Sequence, residues 1–392
     1  MSKELTLFTI SGPDHPGITA ELMSAISKSE STLIDIGQSI THGLLSLSFI
    51  LESKTKDEEI VKELIFIAKK NKIELDFKLI ETEKRKSKSG EKYILSCVSL
   101  NGITPTFLSS IASVLAQNDI NIQRIDNITD DHLTSLDIST VAKKTDVNWD
   151  KVKKELIEIS NLHKTDLALL KDNVWRRNKR LIVFDMDSTL IQSEVIDEIA
   201  RAHGVYGEVH KITEQAMNGE FDFDQSLIKR VSLLKGLKSE KLNEILQTIQ
   251  LTEGVEEFIH TVKKLGYKVA IISGGFTYFA NYFKEKLGLD YAFANELEII
   301  NGELTGLVKG SIVNADKKAM LVELISQQEN INLEQVVAIG DGANDLPMLA
   351  KAGLGIAFHA KEIVKENAKQ HMSHGPMTSI LYFLGIPGSK DI

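Results

Sequence analysis

Two aspartates, Asp185 and Asp187, stand two residues apart directly after the apolar run Leu181–Phe184. A carboxylate can attack an electrophile as a nucleophile, and a second carboxyl group at the same place can move protons as a general acid or base. Aspartate is depleted in strands, so two of them at a strand end need a reason. The alternative is a helix N-cap followed by a turn aspartate. The pair alone does not decide between these readings.

Three other segments carry groups suited to holding a phosphoryl group and a metal ion. Ser273–Gly275 offers a hydroxyl and backbone N–H groups that can receive a phosphate, helped by a helix N-terminus. Gly340–Asp345 adds carboxylates, which are hard oxygen ligands for Mg²⁺, and Lys318 supplies a cation. Each segment alone is explained by an ordinary turn or a solvated charge. Their occurrence together favours phosphoryl transfer.

These segments follow a regular series of apolar runs. Short continuous apolar stretches, typical of strands buried on both faces, occur at Leu181–Phe184, Val269–Ile272, Val336–Ile339 and Gly355–Phe358. Helical patterns over Val255–Leu265 and Ala315–Gln327 separate some of them. The alternation predicts a doubly wound parallel sheet. Ligand sites in such sheets lie at the carboxyl ends of the strands, where the candidate groups stand.

Two further features interrupt the alternation of strands and helices. The stretch Glu194–Gln250 is too long for a simple crossover and predicts an inserted helical cap. Asn301-Gly302 is a two-residue turn signal that predicts a β-hairpin.

The first part of the chain contains an internal repeat. Leu33–Thr41 resembles Asn121–Thr129, and the same shift superimposes the helical patterns Glu21–Glu30 and Ser109–Asn118. A repeat of this length predicts two small sibling domains rather than a solenoid. Each copy has the pattern strand, helix, strand, strand, helix, strand. The polar run Glu81–Lys92 between them is interpreted as a solvated linker, with a small anion-binding patch as the alternative.

Composition sets limits on the class of protein. The 392 residues are enough for two or three domains, and 42% hydrophobic with 26% charged residues is ordinary for a globular protein. A net charge of −9 disfavours nucleic-acid binding. The single cysteine, Cys97, excludes an intrachain disulfide and is interpreted as a small core residue. No signal peptide or membrane span is recognisable, so we expect a cytoplasmic protein with no membrane partner.

Taken together, the motifs are similar to those of the haloacid dehalogenase superfamily of phosphohydrolases, and within it to the members that act on O-phospho-L-serine. The match covers roughly Arg180–Leu384, and the cap residues distinguish the substrate. It rests on Asp185–Leu190, Glu194, Ala216–Gly219, Phe223, Ser226-Leu227, Arg230-Val231, Leu234–Gly236, Ser273–Phe276, Lys318 and Gly340–Asp345. The N-terminal repeats resemble ACT domains. The second copy matches less well, since Asn101–Pro105 lacks the Gly-Pro-Asp turn of Gly12–Asp14.

The resemblance implies a fold and domain bounds. We expect an α/β protein whose Rossmann-like, doubly wound parallel sheet carries an inserted helical cap. Two α+β ferredoxin-like (ACT) domains precede this sheet. The expected bounds are 1–84 and 91–168 for the ACT-like domains and 178–392 for the phosphatase domain, with the cap at about 195–252. ACT modules commonly pair across subunits, so the resemblance also implies a homodimer. L-serine or another amino acid is an expected ligand of the ACT-like domains.

The resemblance also assigns catalytic roles. Asp185 is expected to be the nucleophile that forms an aspartyl-phosphate, and Asp187 the general acid and then the general base. Mg²⁺ is expected on Asp185, on the backbone carbonyl of Asp187 and on Asp341. Asn344 and Asp345 are expected to support the metal and the lysine.

Substrate-binding residues are assigned in the same way. Glu194 is expected to pair with the serine ammonium, and Arg230 to bind its carboxylate through two parallel hydrogen bonds. Met217 and Phe223 are expected to close over the substrate. The remaining group, expected to hold the phosphoryl group, comprises Ser273, Gly274, Lys318 and Asn344.

Three functions remain open at this point. The favoured one is Mg²⁺-dependent hydrolysis of O-phospho-L-serine as the final step of serine biosynthesis, with amino-acid regulation by the ACT-like domains. The second is a broader small-molecule phosphomonoesterase or phosphotransferase. The third is an amino-acid-responsive regulator, which has no need of both Asp185 and Asp187. A metal site at His371 and His374 is disfavoured, because no nearby cysteine or acid completes it.

Overall fold

The structure is a computed structural model that describes residues 4–53, 58–80, 90–129, 134–142 and 147–386. The chain divides into two compact units, Met1–Ser89 and Gly90–Ile392. Most of the expected linker Glu81–Lys92 lies outside the described residues, as do the end of the first ACT-like domain beyond residue 80 and the last residues of the chain. None of the helices in the described ranges has the length and apolar composition needed to cross a membrane.

The first unit is a four-stranded antiparallel sheet with two helices. Its elements are β1 (Glu4–Pro13), α1 (Ile18–Ser27), β2 (Thr32–Thr41), β3 (Leu44–Ser53), α2 (Glu58–Lys70) and β4 (Glu74–Ile80). The strand order is β2-β3-β1-β4. Alternating residues of β1 and β3, such as Phe8 and Leu47, are buried in one core with Leu22 of α1 and Leu64 of α2. The expected order of elements is confirmed.

The second unit begins with a copy of the same arrangement. Its elements are β5 (Glu91–Val98), α3 (Pro105–Gln117), β6 (Ile120–Asn127), β7 (Ser135–Ala142), α4 (Trp149–His163) and β8 (Asp166–Lys171). The strand order, β6-β7-β5-β8, is that of the first sheet. The repeated segments Leu33–Thr41 and Asn121–Thr129 fall on the equivalent edge strands β2 and β6. The expected pair of sibling domains is therefore confirmed.

The two small sheets differ in what covers them. Nearly every residue of β5 and β7 is buried, whereas buried and exposed positions alternate along β3. Residues of β5 and β8 belong to the same apolar cluster as the C-terminal helix region, which includes Val98, Ala168, Leu170 and Phe383. A strand buried on both faces has no need of alternating polarity.

The rest of the second unit is built on a seven-stranded sheet with the order β12-β11-β10-β9-β13-β14-β15. Only the β11–β12 pair is antiparallel. The elements are β9 (Leu181–Phe184), α5 (Val195–His203), α6 (Tyr206–Met217), α7 (Phe223–Ser232), α8 (Glu240–Thr248), α9 (Val255–Lys264), β10 (Lys268–Phe276), α10 (Thr277–Leu287), β11 (Tyr291–Ile300), β12 (Glu303–Lys309), α11 (Ala315–Gln328), β13 (Val336–Gly340), α12 (Leu346–Lys351), β14 (Leu354–Phe358), α13 (Glu362–Asn367), β15 (Gln370–Met372) and α14 (Ile380–Phe383).

This domain confirms the expected doubly wound sheet, its inserted helices and its hairpin. Helices α5–α8 lie between β9 and β10 in the chain, where the cap was expected. The hairpin turns at Asn301 and Gly302, whose φ angles are 52° and 81°. Two positive φ angles are what a type I′ turn requires, which explains the Asn-Gly pair.

Buried polar contacts join the second small domain to the larger one. The Asp166 carboxylate accepts backbone N–H bonds from Ser373 (2.6 Å), His374 (3.1 Å) and Gly375 (2.8 Å). Arg176 pairs with the buried Asp137 at 2.5 Å. His371 lies on strand β15 and His374 follows it in a turn, so their spacing does not place them on one helical face.

His371 gives a prediction about acid stability. Burial lowers its pKa to about 4, while an unfolded histidine has a pKa of about 6.5. The unfolded chain therefore takes up this proton first as the pH falls from 6.5 towards 4, and folding stability is lost in that window. Between pH 7 and pH 5, denaturant unfolding of the native chain should lose about 2 kcal/mol more than that of His371→Gln. Equal losses in the two proteins would contradict this.

Candidate active site

The candidate residues meet at the carboxyl edge of the large sheet. Asp185 directly follows β9, and its backbone N–H donates to the Ile339 carbonyl of β13 at 2.9 Å. A cavity of 840 Å³ opens here between the sheet and the inserted helices. Nine of the expected residues line it: Asp185, Asp187, Glu194, Met217, Phe223, Arg230, Gly274, Asp341 and Asn344. The other three, Ser273, Lys318 and Asp345, are fully buried beside them.

Lys318 joins the two buried carboxylates of the site. Its Nζ lies 2.6 Å from Asp185 Oδ1 and 2.7 Å from Asp345 Oδ1. Burial alone would lower the pKa of Lys318, but the two carboxylates outweigh it and raise that pKa above its usual value. The lysine stands in the first turn of α11, whose N-cap Asn314 accepts from Lys317 N. An asparagine directly before a helical pattern is a sequence signal for the start of a helix, and here it places Lys318 in the first turn.

Asp345 is held in place by the loop after β13. Its Oδ2 accepts the Gly342 N–H at 3.0 Å. A Cβ on Gly340 would lie 2.6 Å from Asp345 Cγ, so only glycine allows the carboxylate to approach the strand end so closely. The glycines of this motif therefore create room for the support of Lys318.

Asp187 lies in the tight turn that follows β9. Its Oδ1 accepts the Val195 N–H of α5 at 2.9 Å, and its Oδ2 lies 3.4 Å from Ser273 Oγ. Burial raises the pKa of Asp187 to about 8, and the nearby Glu194 carboxylate adds to the rise. A carboxyl group with this pKa carries a proton at neutral pH and can donate it.

Three carboxylates form a compact acidic group. Oxygens of Asp185, Asp341 and Asp345 all lie within 4.8 Å of one another. Thr189 donates to Asp341 at 3.0 Å, yet burial and the neighbouring Asp345 still raise the pKa of Asp341 to about 7. Burial and Asp345 likewise raise the pKa of Asp185, against the opposing effect of Lys318. The single cation Lys318 does not balance the three carboxylates, so the group keeps an excess of negative charge. Its donor atoms are all oxygens, which fits Mg²⁺.

The expected phosphate cradle lies at the end of β10. Ser273 Oγ accepts the Gly275 N–H at 2.8 Å. Asn295, which the sequence analysis missed, donates to the Gly274 carbonyl at 2.8 Å and accepts from Val313 N at 2.8 Å. It is 1% exposed. A buried asparagine in strand β11 is unusual, and that was the available signal.

Arg230 and Glu194 face the same cavity from the inserted helices. Arg230 Nε donates to the Ser226 carbonyl at 3.4 Å, and the guanidinium forms no ion pair with a carboxylate of the described residues. Burial lowers the pKa of Arg230, although Glu194, Asp197 and Asp187 oppose this. Glu194 accepts from Ser188 Oγ at 2.9 Å. The site thus presents a partly buried guanidinium with free donors and, separately, a carboxylate.

The inserted helices also contact the sheet edge directly. Phe223 lies over the phosphate cradle, since a Cβ on Gly274 would be 2.9 Å from its Cζ. Asn314 Nδ2 lies 3.2 Å from Asp224 of α7. Met217 lines the cavity but is 69% exposed. Other lining residues that the sequence analysis did not select carry no recognisable local signal: Asp197, His210, Thr213 and Lys361.

Family models agree with this architecture. Residues 179–353 match a haloacid dehalogenase-like hydrolase. Residues 4–78 and 98–170 each match an ACT domain.

Several known proteins are similar to the chain. A phosphoserine phosphatase of Streptomyces coelicolor is 36% identical over 380 residues, covering 97% of this chain and 92% of that protein. A phosphoserine phosphatase of Archaeoglobus fulgidus is 52% identical over 222 residues, covering 57% of this chain and 64% of that protein. A solved phospho-aspartyl intermediate analogue of phosphoserine phosphatase is 52% identical, with a TM-score of 0.50, covering 53% of this chain and 99% of that one. The chain thus belongs to the phosphoserine phosphatases, haloacid dehalogenase-like hydrolases that here carry two ACT domains.

Proposed function

We propose that the chain hydrolyses O-phospho-L-serine to L-serine and phosphate through an aspartyl-phosphate on Asp185, as the final step of serine biosynthesis. The single observation that carries this is the shared cavity. It combines the Asp185–Lys318–Asp345 arrangement with an Arg230 that no described carboxylate pairs. The solved intermediate analogue of a related phosphatase supports an aspartate nucleophile.

The first step forms the covalent intermediate. An oxygen of the Asp185 carboxylate attacks phosphorus while the bond between phosphorus and the serine oxygen breaks. Asp187 gives its proton to the leaving oxygen, which its raised pKa allows at neutral pH. Lys318 and the Ser273–Gly275 segment hold the negative phosphoryl oxygens, because two aspartates would otherwise repel them.

The second step returns the enzyme to its starting state. Asp187, now ionised, accepts a proton from water as the water oxygen attacks phosphorus. The bond between phosphorus and the Asp185 oxygen breaks, and phosphate leaves. Asp185 and Asp341 with the backbone carbonyl of Asp187 would hold Mg²⁺, which supplies positive charge to the phosphoryl oxygens and to the acidic group.

Substrate choice is assigned to the inserted helices. The free guanidinium donors of Arg230 would bind the serine carboxylate in a bidentate manner, and Glu194 would pair with the ammonium group. Phe223 and Met217 would cover the substrate from solvent. A phosphomonoester without an amino-acid end would leave Arg230 and Glu194 without partners.

Arg230→Ala should weaken the preference for phosphoserine over substrates without a carboxylate, and should leave the phosphoryl-transfer step itself intact. A hydrogen bond to a charged group contributes about 1.5–3 kcal/mol, so kcat/KM for phosphoserine should fall by roughly 10- to 100-fold. Phosphoethanolamine, which lacks the carboxylate, should be affected little. The matched control is Lys229→Ala, because Lys229 is the preceding residue of α7 and stacks on Phe221 instead of lining the cavity. Equal losses on both substrates would contradict the role of Arg230.

The function itself is tested by phosphate release. Specificity constants for O-phosphoserine, O-phosphothreonine and sugar phosphates should be measured with Mg²⁺ and with EDTA. We expect Mg²⁺-dependent turnover with phosphoserine strongly preferred. A flat profile would instead favour a broad phosphomonoesterase, and no turnover would overturn the proposal.

The remaining proposals concern assembly and regulation. We propose a homodimer, supported by the apolar side chains that edge strand β2 exposes at Leu33, Ile36 and Ile40. We also propose that the ACT domains bind L-serine or another amino acid. The proposed domain bounds are 1–84, 91–168 and 178–392, with the cap near 195–252. We further propose that the protein is cytoplasmic. The thiol of Cys97 is free and buried, which suits a reducing compartment.

A further inference from the structure

A second cavity, of 660 Å³, lies within the second unit, between its small ACT domain and the large sheet domain. Residues of β5, α4 and β8 form one side, and residues around β13, β14 and β15 form the other. It shares no lining residue with the active-site cavity. Its volume is that of a small-molecule site, which is about 300–1,000 Å³.

The lining of this junction cavity is strongly basic. Five cationic residues contribute to it against the two carboxylates of Asp150 and Glu334. The cations are Lys153, Lys171, Lys179, Arg176 and Lys369. The four lysines form no ion pair with a carboxylate in the part of the chain that is described. Asp150 and Glu334 attract Lys153 and Lys179, and Arg176 pairs with Asp137, so the protein neutralises the positive charge of the cavity only in part. This local excess of cations contrasts with the net charge of −9 on the whole chain.

Three of the lysines are tethered by main-chain oxygens instead. Lys153 donates to the Ala368 carbonyl, Lys179 to the Glu334 carbonyl at 2.6 Å and Lys369 to the Ala352 carbonyl at 3.0 Å. An ammonium group has three donors, so each tether leaves donors unused. The tethers hold the charges in place without cancelling them.

Two of the cations are almost fully buried. Lys179 is 8% exposed, and burial lowers its pKa to about 8; the Glu334 carboxylate opposes this shift and Lys369 adds to it. Arg176 is 5% exposed and pairs with Asp137 through Nη2. Its buried Nε has no partner among the described residues. Lys179 and Lys369 repel each other, and an anion bound between them would relieve that repulsion.

Aromatic rings form another part of the wall. The rings of Tyr93 and Trp149 pack with centroids 4.2 Å apart, and Trp175 also lines the cavity. Indole and phenol rings stack favourably on planar ligands. The cavity thus joins a polycationic part to a part suited to a ring.

We propose that the junction cavity binds an organic phosphate that carries a planar ring, of about the size of a mononucleotide. The phosphate would lie among the lysines, and the ring against the tryptophans. A free amino acid fits less well, because its ammonium group would enter a cavity in which cations outnumber carboxylates. A bound ligand would contact both domains and stabilise their docking.

The two tryptophans of the chain supply a direct probe. The full sequence contains only two tryptophans, Trp149 and Trp175, and both line this cavity, so tryptophan fluorescence reports on it alone. The full-length protein should be titrated with AMP, adenosine and inorganic phosphate. We expect AMP to change the emission and to bind at least about tenfold more tightly than either fragment. Asp185→Asn should give the same titration, which separates this site from the catalytic one.

Charge variants locate the site. Lys369→Gln and Lys153→Gln should each weaken AMP binding by about tenfold or more. The matched control is Lys154→Gln, on the same helix α4 but outside the cavity lining, and it should leave the affinity unchanged. Lys369 is exposed, so its variant is expected to fold, and circular dichroism checks this. Absence of a fluorescence and calorimetric response to AMP, or the same loss in all three variants, would overturn the proposal.

Discussion

Asp185→Asn should reduce kcat on phosphoserine by at least about 10⁴-fold, because it removes the only nucleophile of the proposed mechanism. Asparagine keeps the size of the side chain and can still accept from Lys318, whose Nζ lies 2.6 Å from Asp185 Oδ1. Burial and Asp345 disfavour the ionised form of Asp185, against the attraction of Lys318, so we expect loss of this charge not to destabilise the fold. The thermal midpoint should therefore be retained while turnover is lost. Steady-state phosphate release and a thermal melt measure both.

The matched control is Asp172→Asn, which makes the same change at an exposed aspartate outside the cavity. It should keep full activity. Residual turnover of Asp185→Asn above a few per cent of the native rate would show that another group attacks phosphorus. A large fall in the melting temperature would instead mean that Asp185 has a structural role, in conflict with the repulsion described above.

Lys318→Met should cost both activity and stability. The lysine is fully buried between Asp185 and Asp345. Removing one partner of a buried ion pair leaves an uncompensated buried charge, which lowers the free energy of unfolding by about 3–5 kcal/mol. Denaturant unfolding should show this loss. Phosphate release should fall by at least about 10³-fold, since the phosphoryl group loses its fixed cation.

A second substitution separates charge from packing in this variant. In Lys318→Met/Asp345→Asn, one of the stranded carboxylates is removed, so much of the lost stability should return while activity stays low. If the double variant is no more stable than Lys318→Met, packing of the lysine stem matters more than its charge. Excess Mg²⁺ should also stabilise Lys318→Met more than the native chain, because the metal and the lysine share the Asp185 carboxylate.

Much of the fold is local and could be predicted from the sequence. The continuous apolar run Leu181–Phe184 is strand β9 with the same bounds, because a central parallel strand is buried on both faces. Asn301-Gly302 forms the β11–β12 turn for reasons contained in the dipeptide itself. The catalytic motifs were accessible for the same reason: Asp185, Ser273 and Asp341 stand at strand ends, and a parallel sheet brings those ends together.

Long-range polar contacts could not be predicted in this way. An asparagine in strand β11 is unusual, but nothing in the sequence indicates that Asn295 donates to the Gly274 carbonyl. The pairing of Asp137 with Arg176 depends on how one domain docks on another, and neither residue carries a local signal of its partner. The repeat predicted two sibling domains, but it contained no indication that only the second sheet is buried on both faces.

The functional residues of the inserted helices could be predicted from the sequence only in part. Glu194 and Arg230 resemble ordinary charges on helix surfaces, and only the family resemblance singled them out in the sequence. The structure adds that both line the catalytic cavity and that Arg230 has no described carboxylate partner. Their roles in substrate choice remain predictions until the paired substrates are compared.

The most direct test of the central claim is to trap the covalent intermediate. The protein should be mixed with O-phospho-L-serine and Mg²⁺, quenched in acid within the first turnovers, and digested for peptide mass spectrometry. We predict one phosphoryl group on the side chain of Asp185, present in the native chain and absent from Asp185→Asn. Rapid phosphate release without any phosphoryl-Asp185, or with the phosphoryl group on another residue, would contradict the proposed mechanism.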